Sequence, residues 1–193
     1  MSTTIWLTGL PSAGKTTLAH EIANALIING RPAYILDGDR LRQSLNSDLS
    51  FSPKDRNESV RRAGEVSLMM VEAGIVCIVA MVSPYRDARD EVRRRHESAG
   101  VRFHEVFVDT PLEVCVHRDA KGLYAEARSG RISNLTGIND TYQRPLNADL
   151  VLTAQHGPPK AQAGLIQSLW FPEPCFKVDR PDLIGQESSL GSN

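Results

Sequence analysis

Gly9, Leu10, Pro11, Ser12, Ala13, Gly14, Lys15 and Thr16 directly follow the apolar run Ile5, Trp6, Leu7, and no other stretch constrains the chain as much. They fit G-x-x-x-x-G-K-[ST], the loop that wraps its backbone N–H groups around nucleotide phosphates. The glycines let the chain curl with its amides pointing inward, an anion-binding concavity at a helix N-terminus. Lys15 then supplies charge at the β/γ-phosphates, and the Thr16 hydroxyl is the expected Mg²⁺ ligand. A glycine-containing turn would match the pattern by accident. The setting argues for the motif: a strand-like run precedes it, and Thr17, Leu18, Ala19, Ile22 and Ala23 follow with helical apolar spacing. The stretch predicts a P-loop protein that binds a nucleoside triphosphate with Mg²⁺.

Strand-like and helical segments alternate along the rest of the chain. The strand-like runs are Thr4–Thr8, Ala33–Leu36, Ile75–Val82, Arg102–Val108 and Asp149–Leu152, with helical stretches near Lys15–Asn29, Pro53–Gly74, Asp87–Gly100 and Pro111–Ala120. Continuous apolar strands such as Ile75 to Ala80 suit a parallel sheet covered on both faces. The predicted fold class is α/β, a doubly wound, mostly parallel sheet with helices on both faces and ligands beyond the carboxyl ends of its strands. Residues 1–170 are expected to form one P-loop domain, which a chain of 193 residues can fill. Gly122–Asn147 is rich in Gly, Ser, Asn and Thr, so about 121–147 is expected to be a lid. The proline-containing stretch 171–193 is expected to be an irregular tail.

A net charge of −1 offers no field for nucleic acid or anionic membrane. The partners expected are therefore small-molecule nucleotides. Three scattered cysteines, no signal-like segment before the loop and no apolar run near ~18 residues fit a reducing cytoplasm.

The second strand runs into Asp37, Gly38, Asp39. Its carboxyl end faces the same crevice as the phosphate loop, and an extended backbone would project both carboxylates the same way. Such a carboxylate can orient the metal's waters or take a proton from an acceptor hydroxyl, although aspartate is also a favoured helix cap. Ser52, Pro53 and Asp55 read as a helix start. Arg56 lies one turn before Val60 on that helix's apolar stripe, so it should face the cleft and need an anionic or carbonyl partner, whereas Arg61 and Arg62 lie on solvated faces. Ser83, at the end of the third strand, is either a phosphate or sulfate contact or a turn serine before Pro84. Arg118 and Lys121 open the lid region. A lid cation would stabilise developing charge once water is excluded, and the spacing alone equally allows a surface lysine.

Taken together, these stretches resemble the adenylylsulfate (APS) kinase family. The matching segments are 9–17, Leu36–Arg42, Phe51–Arg62, Ser83–Arg86, Val106–Cys115, Arg118–Tyr124 and Leu135–Asp140, in order and over about residues 4 to 153. The resemblance implies transfer of the γ-phosphate of MgATP to the ribose 3′-hydroxyl of adenosine 5′-phosphosulfate, commonly by a dimer with an ordering lid. It assigns catalysis to Asp39, Lys15 and Lys121, with Ser83 a positioning residue, and ATP to Gly9–Thr17 with Arg118. Arg42 and Arg56 would hold the phosphosulfate or ribose. Phe51 would wall one side of the acceptor base, and Asp37, Ser59 and Leu135 complete the acceptor side.

Three departures from the family's pattern fall on that side. Leu135 stands where the family carries the second stacking phenylalanine, Ser59 where it carries an asparagine, and Ser133 where it carries a lysine. Loss of one stacking face is worth about 1–3 kcal/mol per base. These changes leave open a relative that acts on the 3′-hydroxyl of another nucleotide, such as a cytidine diphosphate derivative. A non-catalytic nucleotide-binding subunit sits poorly with intact Lys15, Thr16 and Asp39, and no Asn-Lys-x-Asp segment supports a GTPase switch.

Overall fold

The computed structural model describes residues 2–172. Its elements are β1 (Thr4–Thr8), α1 (Lys15–Ile28), β2 (Ala33–Asp37), α2 (Gly38–Arg42), α3 (Pro53–Glu72), β3 (Val76–Ala80), α4 (Arg86–Ser98), β4 (Phe103–Val108), α5 (Leu112–Arg118), α6 (Leu123–Arg128), β5 (Leu150–Leu152) and α7 (Pro159–Trp170). The strands lie in the order β2-β3-β1-β4-β5 and every pairing is parallel. The chain leaves β1 toward one edge and returns from β3 to β4 on the other side. The switch point lies at the carboxyl end of β1, where the phosphate loop begins.

Successive strand residues face opposite layers. Ile5, Leu7, Ile78 and Val106 pack with Leu18, Ile22 and Leu26 of α1 and with Ala163 and Ile166 of α7. Trp6, Cys77 and Val79 pack with Val60, Ala63 and Val71 of α3 and with Val92 of α4. Both faces of β1 are buried along its whole length, which is why its five residues carry no charge.

Several sequence expectations change. The third strand shortens from Ile75–Val82 to Val76–Ala80, because the chain turns off the sheet toward Ser83, whose φ is 41°. Asp37 and Asp39 do not share an extended backbone: Gly38–Arg42 winds into α2, and Asp37 is its N-cap. Helix α7 went unrecognised, although Gly157, Pro158 and Pro159 followed by Ala163 and Ile166 at helical spacing announce it. Phe171 does not begin a tail. It is buried, with the Arg31 guanidinium 5.4 Å from its ring centroid; the expectation for 173–193 lies outside the described residues.

The segment 121–147 is structured where it meets the body. Asp119 accepts the amides of Tyr124 and Ala125 at 3.0 and 2.9 Å and so starts α6. Tyr124 is buried and donates its hydroxyl to the Pro11 carbonyl of the phosphate loop at 3.0 Å.

Candidate active site

The phosphate loop leaves β1 at Gly9, with φ of 148° at Gly9, 59° at Ser12 and 105° at Gly14. A Cβ on Gly9 would stand 2.6 Å from the Val108 carbonyl oxygen, so the strand-to-loop turn admits only glycine there. Lys15 is buried and folds back over the loop, donating to the Gly9 and Leu10 carbonyls at 3.0 and 2.8 Å. Burial lowers its pKa to about 8. Arg118 approaches the same loop from α5, 3.4 Å from the Ala13 carbonyl. Thr16 and Thr17 are exposed on the first turn of α1.

Thr16 Oγ1 donates to Asp37 Oδ2 at 2.8 Å, while Asp37 Oδ1 accepts the Asp39 amide at 2.9 Å. Asp37, expected on the acceptor side, therefore stands between the residue expected to bind the metal and Asp39. Thr16 and Asp37 offer only hard oxygen donors. No group of three His, Cys, Asp or Glu able to hold a metal occurs among the described residues. That set fits Mg²⁺, which takes one or two protein oxygens and completes its shell with substrate phosphates and water. Asp39 is exposed on α2, and the Lys121 ammonium is paired with its carboxylate. Two residues 82 positions apart and assigned to catalysis from separate segments thus meet.

On the other side of the cleft Phe51 is 58% exposed, with the Arg42 and Arg56 guanidinium carbons 4.5 and 5.4 Å from its ring centroid. Arg42 is fixed through the Leu49 and Ser50 carbonyls at 3.1 and 2.7 Å. Burial and the nearby Arg56 charge lower its pKa. Arg56 has both carbonyl and anionic partners. It donates to Phe51 and Asn134 carbonyls at 3.1 and 2.5 Å and faces Asp140 at 3.5 Å. Tyr85 donates to the same Asp140 carboxylate at 3.1 Å. The stretch 134–140 consequently rests on the expected acceptor arginine.

Three predicted site residues are placed elsewhere. Ser59 is 1% exposed and accepts the Asn46 side-chain amide at 2.9 Å. Leu135 is 6% exposed and packs in the α1-side core. Neither forms a wall for a nucleotide base. Ser83 is 2% exposed, accepting the Trp6 indole N–H at 3.0 Å and donating to Thr8 at 3.1 Å. Its hydroxyl is occupied within the protein and is not presented to a phosphate. Ser133 is exposed. Arg61 and Arg62 are less free than their faces implied: both pair with Glu58, and Arg62 also with Asp48. Reading by segment missed Tyr85, Arg89, Asp140 and Tyr142, which connect the lid to the body. A lone tyrosine in the polar stretch 139–144 was the available signal.

The adenylylsulphate kinase family model matches residues 1–153 of the chain. The chain belongs to this family. An adenylyl-sulfate kinase of Shewanella baltica is 49% identical over 153 residues, spanning 79% of this chain and 74% of that protein. Among solved structures, the Mycobacterium tuberculosis APS kinase in complex with AMPPNP and APS superposes with a TM-score of 0.85 at 44% identity, covering 87% of this chain and 96% of that one. A hexameric APS kinase from Thiobacillus denitrificans gives 0.63 at 28% identity, covering 86% of this chain and 28% of the other.

Proposed function

We infer that the protein transfers the γ-phosphate of MgATP to the ribose 3′-hydroxyl of adenosine 5′-phosphosulfate, producing 3′-phosphoadenosine 5′-phosphosulfate. The observation that carries this is the chain of contacts from Thr16 through Asp37 to Asp39 and Lys121, with Arg42 and Arg56 grouped on Phe51. Gly9–Thr17 and Arg118 hold ATP. Asp39 orients or deprotonates the acceptor hydroxyl, Lys121 neutralises developing charge, and Arg42 and Arg56 receive the acceptor's anionic end. Phe51, exposed and with both guanidinium groups beside its ring, offers aromatic surface to the acceptor base.

The cytidine-type alternative rested on three departures, Leu135, Ser59 and Ser133. Ser59 and Leu135 are buried side chains, which favours the adenosine reading over one in which they line the base site. Mg²⁺ is the metal on the oxygen chemistry of Thr16 and Asp37. A cytoplasmic setting is supported by the buried free thiols Cys77 and Cys115. No described helix is long and apolar enough to cross a membrane. We take a homodimer as the smallest assembly, to be checked by light scattering against the hexamer named for the Thiobacillus denitrificans protein.

The deciding experiment is a 3′-phosphorylation assay with APS, AMP and a cytidine diphosphate acceptor side by side. APS is expected to give by far the highest kcat/KM; preference for the cytidine compound would overturn the assignment.

A further inference from the structure

Thr8 is the last residue of β1 and fully buried. A threonine hydroxyl has one hydrogen and two lone pairs, and here all three are used. Thr8 Oγ1 donates its single hydrogen to the Val82 carbonyl at 2.8 Å. Its two remaining partners must therefore donate to it: Ser83 Oγ at 3.1 Å and the Tyr142 hydroxyl at 2.9 Å. The direction of the Tyr142 hydrogen follows without any choice of rotamer. Burial raises the pKa of that hydroxyl to about 12, so it stays protonated and able to donate.

Tyr142 sits on the returning leg of the lid. Its ring stacks on Phe107 of β4, with centroids 5.7 Å apart and planes at 20°. The next residue is fastened as well: the Gln143 amide donates to Pro84 O at 2.8 Å, and its carbonyl accepts from Arg89 at 2.8 Å. Buried Arg89 also donates to Ser83 O at 2.7 Å and pairs with Glu105 at 2.6 Å. One buried hydroxyl thus joins three segments: the strand that opens the phosphate loop, the left-handed turn at Ser83, and the lid.

We propose that Tyr142 is a positioning residue for phosphoryl transfer, its O–H donated to Thr8 acting as a latch between the lid's returning leg and the root of the phosphate loop. This rests on reading 121–147 as a lid over the acceptor. The stretch just before Tyr142 contains Asn134 and Asp140, which contact Arg56. Where the leg is latched sets where those groups stand relative to the acceptor arginine. ATP is held by contacts on the loop itself and is insensitive to the latch.

Tyr142→Phe removes only the hydroxyl and keeps the ring on Phe107. Thr8→Val removes the shared acceptor at nearly constant shape, and Thr8→Ser retains it. The measurements are kcat and KM for APS and for ATP, together with tryptic cleavage at the exposed lid residues Arg128 and Arg131. Tyr142→Phe is expected to raise the APS KM about 3- to 10-fold, the range of one net hydrogen bond. The ATP KM should stay within about twofold and lid cleavage should accelerate. Adding Tyr142→Phe to Thr8→Val should produce no further rise in APS KM, and Thr8→Ser should behave like wild type. Unchanged APS kinetics with unchanged cleavage would overturn the proposal. So would equal losses for ATP and APS, or additive effects in the double variant. The cleavage comparison needs no acceptor, so it reads the latch even if wild type proved inactive on APS, an outcome that would sink the functional assignment separately.

Discussion

Thr16 and Asp37, 21 residues apart, are joined by a 2.8 Å hydrogen bond from the Thr16 hydroxyl to Asp37 Oδ2. The second oxygen of that carboxylate accepts the Asp39 amide, so a single side chain ties the phosphate loop to the helix that presents Asp39. The two aspartates accordingly have different work. Asp39→Asn should lower kcat by about 10²–10⁴-fold, the usual worth of acid–base assistance, with little change in ATP KM. Asp37→Asn should instead raise the Mg²⁺ concentration needed for half-maximal rate, because it disturbs Thr16. A Mg²⁺ titration of both variants checks this; identical Mg²⁺ dependence in the two would refute the division.

Lys15→Met should abolish turnover without unfolding the protein. The ammonium is buried against two carbonyls, and the lowering of its pKa to about 8 shows that desolvation opposes its charge. Removing that buried charge offsets the two lost hydrogen bonds, so Tm should move by only a few degrees. Thermal melts and an ADP-release assay test both halves, and measurable turnover in the folded variant would remove Lys15 from the mechanism.

Leu135→Phe, which would restore the family's aromatic residue, should not tighten the acceptor site by adding a stacking wall. Leu135 is buried among core residues, so the larger ring overpacks and should cost about 1–3 kcal/mol. Urea denaturation measures the cost. An improved APS KM at unchanged stability would place position 135 in the cleft after all.

Gly64 faces Val92 where α3 crosses α4, and a Cβ there would meet Val92 Cγ2 at 2.7 Å and Cγ1 at 3.0 Å. Gly64→Ala should therefore destabilise by about 1–3 kcal/mol despite its better helix propensity. Val92→Ala should relieve the clash, making the pair less damaging than the sum of its members. Additive losses in denaturant melts would contradict this close approach.

His96 is fully buried beside Phe103, its Nδ1 hydrogen donated to Val92 O at 2.8 Å and its Nε2 facing Thr4 and Ser67. Burial lowers its pKa below the ordinary 6.5, opposed by the hydrogen bond to the Val92 carbonyl and then by Glu65. Below pH 6.5 the unfolded chain binds a proton that the folded one resists. Stability is thus retained above that pH and lost as pH falls from 6.5 toward the lowered folded value. His104 shifts the same way and adds to the trend. His96→Gln should flatten, without abolishing, the fall in Tm between about pH 7 and pH 5; an unchanged slope would show that His96 does not titrate across unfolding.

Contiguous patterns of the sequence already specified the phosphate loop, the parallel sheet and the limits of α1 and α3. Burial on both faces demands an unbroken apolar run such as Ile5–Leu7, and the Ser52–Pro53–Asp55 start of α3 is a local hydrogen-bonding event. The family motifs also named Asp39 and Lys121, which the fold pairs, and Arg42, Phe51 and Arg56, which it groups around one ring. Periodicity could not say which polar side chains face that cleft. Ser59 turns to Asn46, Ser83 to Trp6 and Thr8, and Tyr142 to Thr8, each across 13 or more residues. A hydroxyl's partner is chosen by whichever donor or acceptor the folded chain brings within about 3 Å. That choice belongs to the tertiary structure alone, because a buried polar group must be satisfied by whatever distant segment packs against it.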